Sequence, residues 1–486
     1  MSKNRIMTLV LAAFFISISI TVGYRHVEGK PQEDISQSSA SVKPSKSETE
    51  PESKNTKKDK TGIKETAVYI TESANNGDKT TVEMKSGTAS SGKTTTGKTT
   101  AIAKAKEKTA TATVSSRSAD ATTTSKTTAP KAVPLLPSKM VAGYYTAWSA
   151  YQGYTPDKIN AAKLSVVHYA FAAIGSDYRI TAGDPYIDST NFIKLKAVKE
   201  KHPHLKILIS VGGWGNSARF SDLALSAERR RVFAQSCVSF IKQYGFDGVD
   251  IDWEYPVSGG AAGRPEDKYN FTLMMKELRE RLDEQAKLDG SYYYLSFAGG
   301  ASSGYINNVQ LGKLAGIVDY AVNMTYDLHG PWDDYADFNA PLFTPAERSP
   351  QYKISVDSSM KYWQNAGFPK NKLVMGIPFY GYVYGGVGSS NNGLYQRFSV
   401  AKAYGYDSIV SSFLSDSLYA KHFHPSARVS FLYGNGKFIS YDGPASIASK
   451  AQYAVTNGLR GVSAWELGYD KSSALLSAAY QTLKRY

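Results

Sequence analysis

The stretch FDGVDIDWEYP, residues 246 to 256, sets Asp247, Asp250, Asp252 and Glu254 among Gly, Val, Ile and Trp. Side chains alternate along a strand, so Asp250, Asp252 and Glu254 fall on one face and Val249, Ile251 and Trp253 on the other. The apolar face reads as packed on helices, which leaves the three acids facing the axis of a closed sheet. Ionised and unpaired there, each would cost several kcal/mol. The group must therefore share protons and hydrogen bonds, and crowding raises the proton affinity of at least one member. A carboxyl kept protonated near neutral pH is what a general acid needs. A strand whose acids merely met solvent would carry polar residues or turn formers between them. Three carboxylates can also hold Mg²⁺ or Ca²⁺. Beyond Asp327, however, no His or acidic cluster stands at the other strand ends, and no metal is expected.

Outward from this strand, from Met140 on, similar short β-branched or aromatic runs recur: MVAGYYTAW, SVVHYAFAAI, KILISVGGW, YYYLSFAGG, YAVNMTYD, KLVMGIPFY and GVSAWELG. With GVDIDWEY they make eight. Between them lie amphipathic segments, among them FIKLKAVKEKHP, AERRRVFAQSCVSFIKQYG, YNFTLMMKELRERLDEQAKL, VQLGKLAG, DSSMKYWQNAG and ASIASKAQYAVTNG. Alternation of this kind over residues 138–486 predicts a (β/α)₈ TIM barrel. The connection after the seventh strand, from Tyr382 to Gly443, is too long for a loop. It predicts a small α+β insertion domain over 385–440, rising beside the strands' C-terminal ends as a groove wall.

The rest of the chain is of another composition. From Glu28 to Pro134 Ser, Thr, Lys, Ala and Gly dominate, with almost no Leu, Phe or Trp, so residues 28–137 read as a disordered tether. Lys3 and Arg5 precede an apolar run from Ile6 to Gly23, and residues 1–27 read as a signal peptide or a membrane anchor. The expected location is therefore secreted or on the extracellular surface, with membrane or cell-wall association through this segment. The net charge is +14, but the first 134 residues hold about 21 basic and 13 acidic side chains, more than half of the excess. No basic helix with interleaved aromatics and no zinc-knuckle spacing occurs, so nucleic acid is not an expected partner. The single cysteine, Cys237, permits no intrachain disulfide and reads as core filler.

FDGVDIDWEYP resembles, in all four acids, the DxxDxDxE signature of glycoside hydrolase family 18, the chitinase family. LISVGGW at 208–214 is similar to the family's SxGG motif, MTYD at 324–327 to its sixth-strand motif, and SAWEL around Trp465 to its eighth-strand tryptophan. The resemblance runs from about Val141 to Tyr486 and extends to the insertion.

It implies a retaining hydrolysis in which Glu254 protonates the glycosidic oxygen and the substrate's own 2-acetamido oxygen attacks the anomeric carbon. Asp252 is then expected to hold the acetamide N–H, Asp250 to share a proton with Asp252, Tyr326 to orient the acetamide, and Asp247 to brace the strand end. No cofactor is implied. Rings for sugar faces are expected from Tyr144, Trp148, Phe171, Trp214, Trp332 and Trp465. Gly212, Gly213, Tyr255, Met324 and Asp327 complete the expected substrate-binding set, although either glycine equally suits a tight strand end. The partners implied are chitin or N-acetylglucosamine oligosaccharides, acted on by a monomer. Alternatives within the resemblance are an endo-β-N-acetylglucosaminidase or a peptidoglycan-directed hydrolase. A non-catalytic chitin-binding lectin is disfavoured by the presence of Glu254. One departure stands out: GIPFYGY puts Tyr382 where such chitinases often carry an arginine.

Overall fold

The structure, a computed structural model, describes residues 136–485 apart from 260–261, 346 and 348–352. The expected leader at 1–27 and nearly all of the tether at 28–137 lie outside the described residues. Strands β1 (Met140–Thr146), β2 (Val166–Ile174), β3 (Ile180–Ala182), β4 (Lys206–Gly212), β5 (Gly248–Asp252), β6 (Tyr294–Gly300), β7 (Tyr320–Met324) and β8 (Leu373–Pro378) come first. Then follow β9 (Tyr380–Gly385), β10 (Val400–Gly405), β11 (Ala420–His424), β12 (Val429–Gly434), β13 (Lys437–Tyr441) and β14 (Gly461–Trp465). The order β1-β14-β8-β7-β6-β5-β4-β2, with β1 also paired to β2, closes eight parallel strands into the expected barrel, and β3 folds back antiparallel on β2.

The strands are apolar on both faces because both are covered. Val141, Tyr145, Val167, Ile209, Val249, Ile251 and Phe297 point outward into the core beneath the helices. Ala142, Tyr144, Val166, Leu208, Tyr320, Val322 and Val374 fill the interior. Helix Ala227–Tyr244 begins where the Ser226 hydroxyl accepts the Arg229 N–H (3.2 Å) and ends at Gly245, whose φ of 78° suits a residue without Cβ. Cys237 is buried on this helix. Among the described residues no helix is long and apolar enough to cross a membrane.

The insertion is a five-stranded antiparallel sheet, β10-β9-β13-β12-β11, with a short helical segment at Tyr406–Leu414. Its first strand starts at Tyr380, inside the run expected to be the seventh barrel strand. The barrel strand stops at Pro378, and only Phe379, whose N–H reaches the Trp465 carbonyl (2.7 Å), separates barrel from wall. Period-two alternation turns Tyr380, Tyr382 and Tyr384 to one face, packed with Phe338, Leu394, Phe431 and Phe438. On the return to the barrel, the buried Lys450 ammonium meets Asp442 Oδ2 at 2.5 Å.

Candidate active site

Asp250 lies in the barrel interior, fully enclosed, in register with Ser210 of β4 and Ser296 of β6. Ser210 Oγ donates to its Oδ2 and Ser296 Oγ to its Oδ1, each at 2.6 Å, and the Tyr144 hydroxyl adds a 3.2 Å bond to Oδ2. Short hydroxyl bonds to a carboxylate are the strong, charge-assisted kind. Tyr144 was expected to offer a ring to substrate. Its ring is instead 1% exposed, stacked on His168 at 4.5 Å, and only its hydroxyl serves the acids. His168 in turn meets the Tyr320 hydroxyl through Nε2 (2.8 Å), and burial pushes its proton affinity down.

Asp252, the last residue of β5, is also buried, and its Oδ1 has no hydrogen-bond partner. Burial, then the charges of Glu254 and Asp250, push this carboxyl well above its usual range. Glu254 is not on the strand, which ends two residues earlier. There the Asp252 carbonyl accepts the Gly213 N–H (2.7 Å), and the Glu254 N–H turns to Ser217 Oγ (2.9 Å). The half-buried Glu254 therefore opens into the cleft at the C-terminal end of the barrel, where active sites of this fold sit. Burial, reinforced by the Asp327 charge and opposed by hydrogen bonds from Tyr255 and the Trp214 backbone, pushes its carboxyl up to about 7.

The two glycines serve this turn. A Cβ on Gly212 (φ 112°) would lie 2.3 Å from the Asp252 carbonyl oxygen, and one on Gly213 (φ 79°) 2.5 Å from the Phe171 ring. Their close approach is thus to the end of β5 and to Phe171.

Trp465 stacks on Phe171 at 5.7 Å, Trp148 adjoins Phe171 at 6.4 Å, and Tyr144 tilts beneath Trp465 at 5.4 Å. All but Tyr144 are partly open. Trp214 and Trp332 stand out at 80% and 57% exposure, open enough for a sugar face. Tyr255 leans edge-on to Tyr305, and Met324 is nearly enclosed. Asp247 precedes β5 at the opposite end of the barrel. There it accepts the Ile207 N–H (2.8 Å) and pairs with Lys199 (2.7 Å).

Tyr326 packs edge-on to Tyr380, and burial followed by the Asp252 and Glu254 charges keeps its phenol protonated and able to donate. Asp327, open to the cleft but enclosed by protein on its other sides, donates its backbone N–H to Asn339 Oδ1 (2.8 Å) at a left-handed φ of 54°. The hydroxyls of Tyr380 and Tyr382 both donate to its Oδ1, Tyr382 at 2.7 Å. Burial raises Asp327's proton affinity, and these two phenols oppose the rise. Ser296, Ser217, Asn339 and Tyr380 escaped the sequence reading, and Ser210 stood in it only as the serine of SVGG, without its partner. Only the register of Ser296 with Asp250, and the place of Tyr380 inside GIPFYGY, could have pointed to any of the others. Among the described residues no group of three His, Cys, Asp or Glu converges as a metal-ligand set.

The sequence model of glycosyl hydrolases family 18 matches residues 140–470. Chitinase A1 of Niallia circulans is 36% identical over 70% of this chain and 57% of its own length. The chain thus spans little more than half of that relative. Among solved structures, a family 18 N-acetylglucosaminidase from Paenibacillus barengoltzii superposes with a TM-score of 0.66 at 33% identity, covering 71% of this chain and 99% of that one. Chitinase ChiA74 from Bacillus thuringiensis gives 0.68 at 32%, covering 72% and 70%.

Proposed function

Because this chain belongs to glycosyl hydrolase family 18, we propose that it hydrolyses the β-1,4 bonds of chitin or its oligosaccharides with substrate-assisted retention. One observation carries the reading: a carboxyl with its proton held to about pH 7, Glu254, stands beside a buried acid, Asp252, with one oxygen unpartnered. Glu254 donates to the glycosidic oxygen as the bond breaks. Asp252 Oδ1 receives the N–H of the substrate's acetamido group, whose oxygen closes on the anomeric carbon to give a cyclic oxazolinium ion. Tyr326 donates to the acetamide. Asp250, fixed by three hydroxyls, stands behind Asp252. Water then opens the ring from the side the leaving sugar has vacated, with Glu254 as base, so the configuration is retained. Trp214, Trp332 and Trp465 offer faces for neighbouring rings.

The test is a time course on chitotetraose with the anomeric form of fresh product read by NMR. Retention is expected, along with resistance of the fully de-acetylated oligomer. Inverted product, or equal cleavage of the de-acetylated chain, overturns the proposal. The Paenibacillus barengoltzii relative favours a second reading, release of single N-acetylglucosamine units by the same groups. Monosaccharide as the sole early product distinguishes it. The apolar run at 6–23 adds a proposal of export, tested by N-terminal sequencing of protein recovered from the medium.

A further inference from the structure

At residue 382 this chain departs from the arginine that its resemblance leads one to expect, and the structure gives the tyrosine an occupation. Its ring meets Trp332 edge-on at 5.9 Å, and its hydroxyl reaches across to Asp327 Oδ1. Tyr380, two residues earlier on the same face of β9, donates to that same oxygen. A third bond, from the Asp327 N–H to Asn339 Oδ1, fixes the backbone beneath. Asp327 is therefore clamped from the insertion sheet, and both of its phenol bonds favour the carboxylate over the acid.

The other titratable groups around Asp327 are Tyr326 on its own segment, Tyr384 on β9, and Glu254 with Tyr255 beyond β5. Among these neighbours Glu254 is the only other carboxyl, and Glu254 in turn faces the buried Asp252 at the end of β5. Two carboxyls that feel each other's charge titrate as a pair, and in the singly protonated state the proton sits on whichever is the weaker acid.

We propose that Tyr382, with Tyr380, is a positioning pair that holds Asp327 as the anion, so that the one proton left to the two carboxyls resides on Glu254. The pair acts through Asp327 and does not touch the reacting atoms. Substrate cleavage thus depends on a strand of the wall domain, and on a side chain that replaces a cation with a neutral donor. This deepens the reading of Glu254 as proton donor and rests on it.

The test uses the full chain and pH profiles of kcat/KM on chitotetraose. Phenylalanine keeps both ring contacts and removes only the hydroxyls. In the double variant Tyr380→Phe/Tyr382→Phe the proton shifts toward Asp327. The plateau is expected to fall roughly fivefold to tenfold, while the alkaline limb moves up by as much as about one pH unit, because the singly protonated pair survives longer. Tyr382→Phe alone falls between parent and double variant. Tyr382→Arg is expected to move the limb the other way, because a cation eases ionisation of both carboxyls. A purely structural role lowers kcat without opposite movements of the limb. The inference is overturned if the double variant keeps the parent's plateau and limb, or if the Phe and Arg variants move the limb in the same direction. If Glu254→Gln is inactive while the phenol variants match the parent, this inference alone fails. If Glu254→Gln is fully active, the proposed function fails with it.

Discussion

Ser217→Ala isolates the joint that sets Glu254, the proposed proton donor. The Ser217 hydroxyl accepts the Glu254 N–H at 2.9 Å, and its one hydrogen is offered to the carbonyls of Gly213 (2.9 Å) and Asp252 (3.1 Å). Alanine removes one accepted and one donated bond. At about 1 kcal/mol net each this is about 2 kcal/mol. A fully buried orphan N–H would add about 1 to 3 kcal/mol more. Glu254 is only half-buried, so that penalty applies in part, and the expected total stays near 2 to 3 kcal/mol. If half of that loss appears as misplacement of the carboxyl, kcat falls about tenfold, since 1.4 kcal/mol is one decade. KM should stay within about a factor of three, because the aromatic faces are untouched. Urea unfolding and steady-state cleavage of chitotetraose measure the two quantities on the same preparation. A variant that loses the stability yet keeps the parent's kcat would show that the serine merely ties strand ends together, and the reasoning would be refuted.

Four further outcomes are expected. The alkaline limb of kcat/KM should lie near pH 7, with activity falling about tenfold per unit above it as Glu254 ionises. Asp327→Asn removes the charge that disfavours that ionisation, so the limb should move to lower pH, as a pH profile will show. Lys450→Met strands a buried Asp442 and should cost about 3 to 5 kcal/mol in urea unfolding, whereas Asp442→Leu/Lys450→Met should recover most of it. Gly212→Ala forces a methyl to within 2.3 Å of the Asp252 carbonyl oxygen at a φ of 112°, and loss of soluble, active protein should be visible on expression.

The barrel was legible because each strand is covered on both faces and so is written as an unbroken apolar run, separated from the next by a helical period. The acids were legible because nothing else explains Asp250 and Asp252 between Val249, Ile251 and Trp253. The partners of those acids were not. Ser210, though part of SVGG, and Ser296 are single small polar residues whose partner appears only when β4 and β6 fall into register with Asp250. The exit of Glu254 from the strand was equally hidden, since it depends on Ser217 and Gly213, some forty residues earlier in the chain. Aromatic residues misled in a definite way. Tyr144 and Trp214 look alike as candidates, yet one lies within the barrel and the other on its rim, and exposure is a property of the closed sheet.

The single residue between β8 and β9 constrains anyone who would exchange this wall for a relative's. A cassette cut at Tyr380 carries both phenols away with it, while one cut after Tyr382 leaves them behind. Chimaeras differing only in that junction should therefore differ in acid–base behaviour though their imported folds are identical.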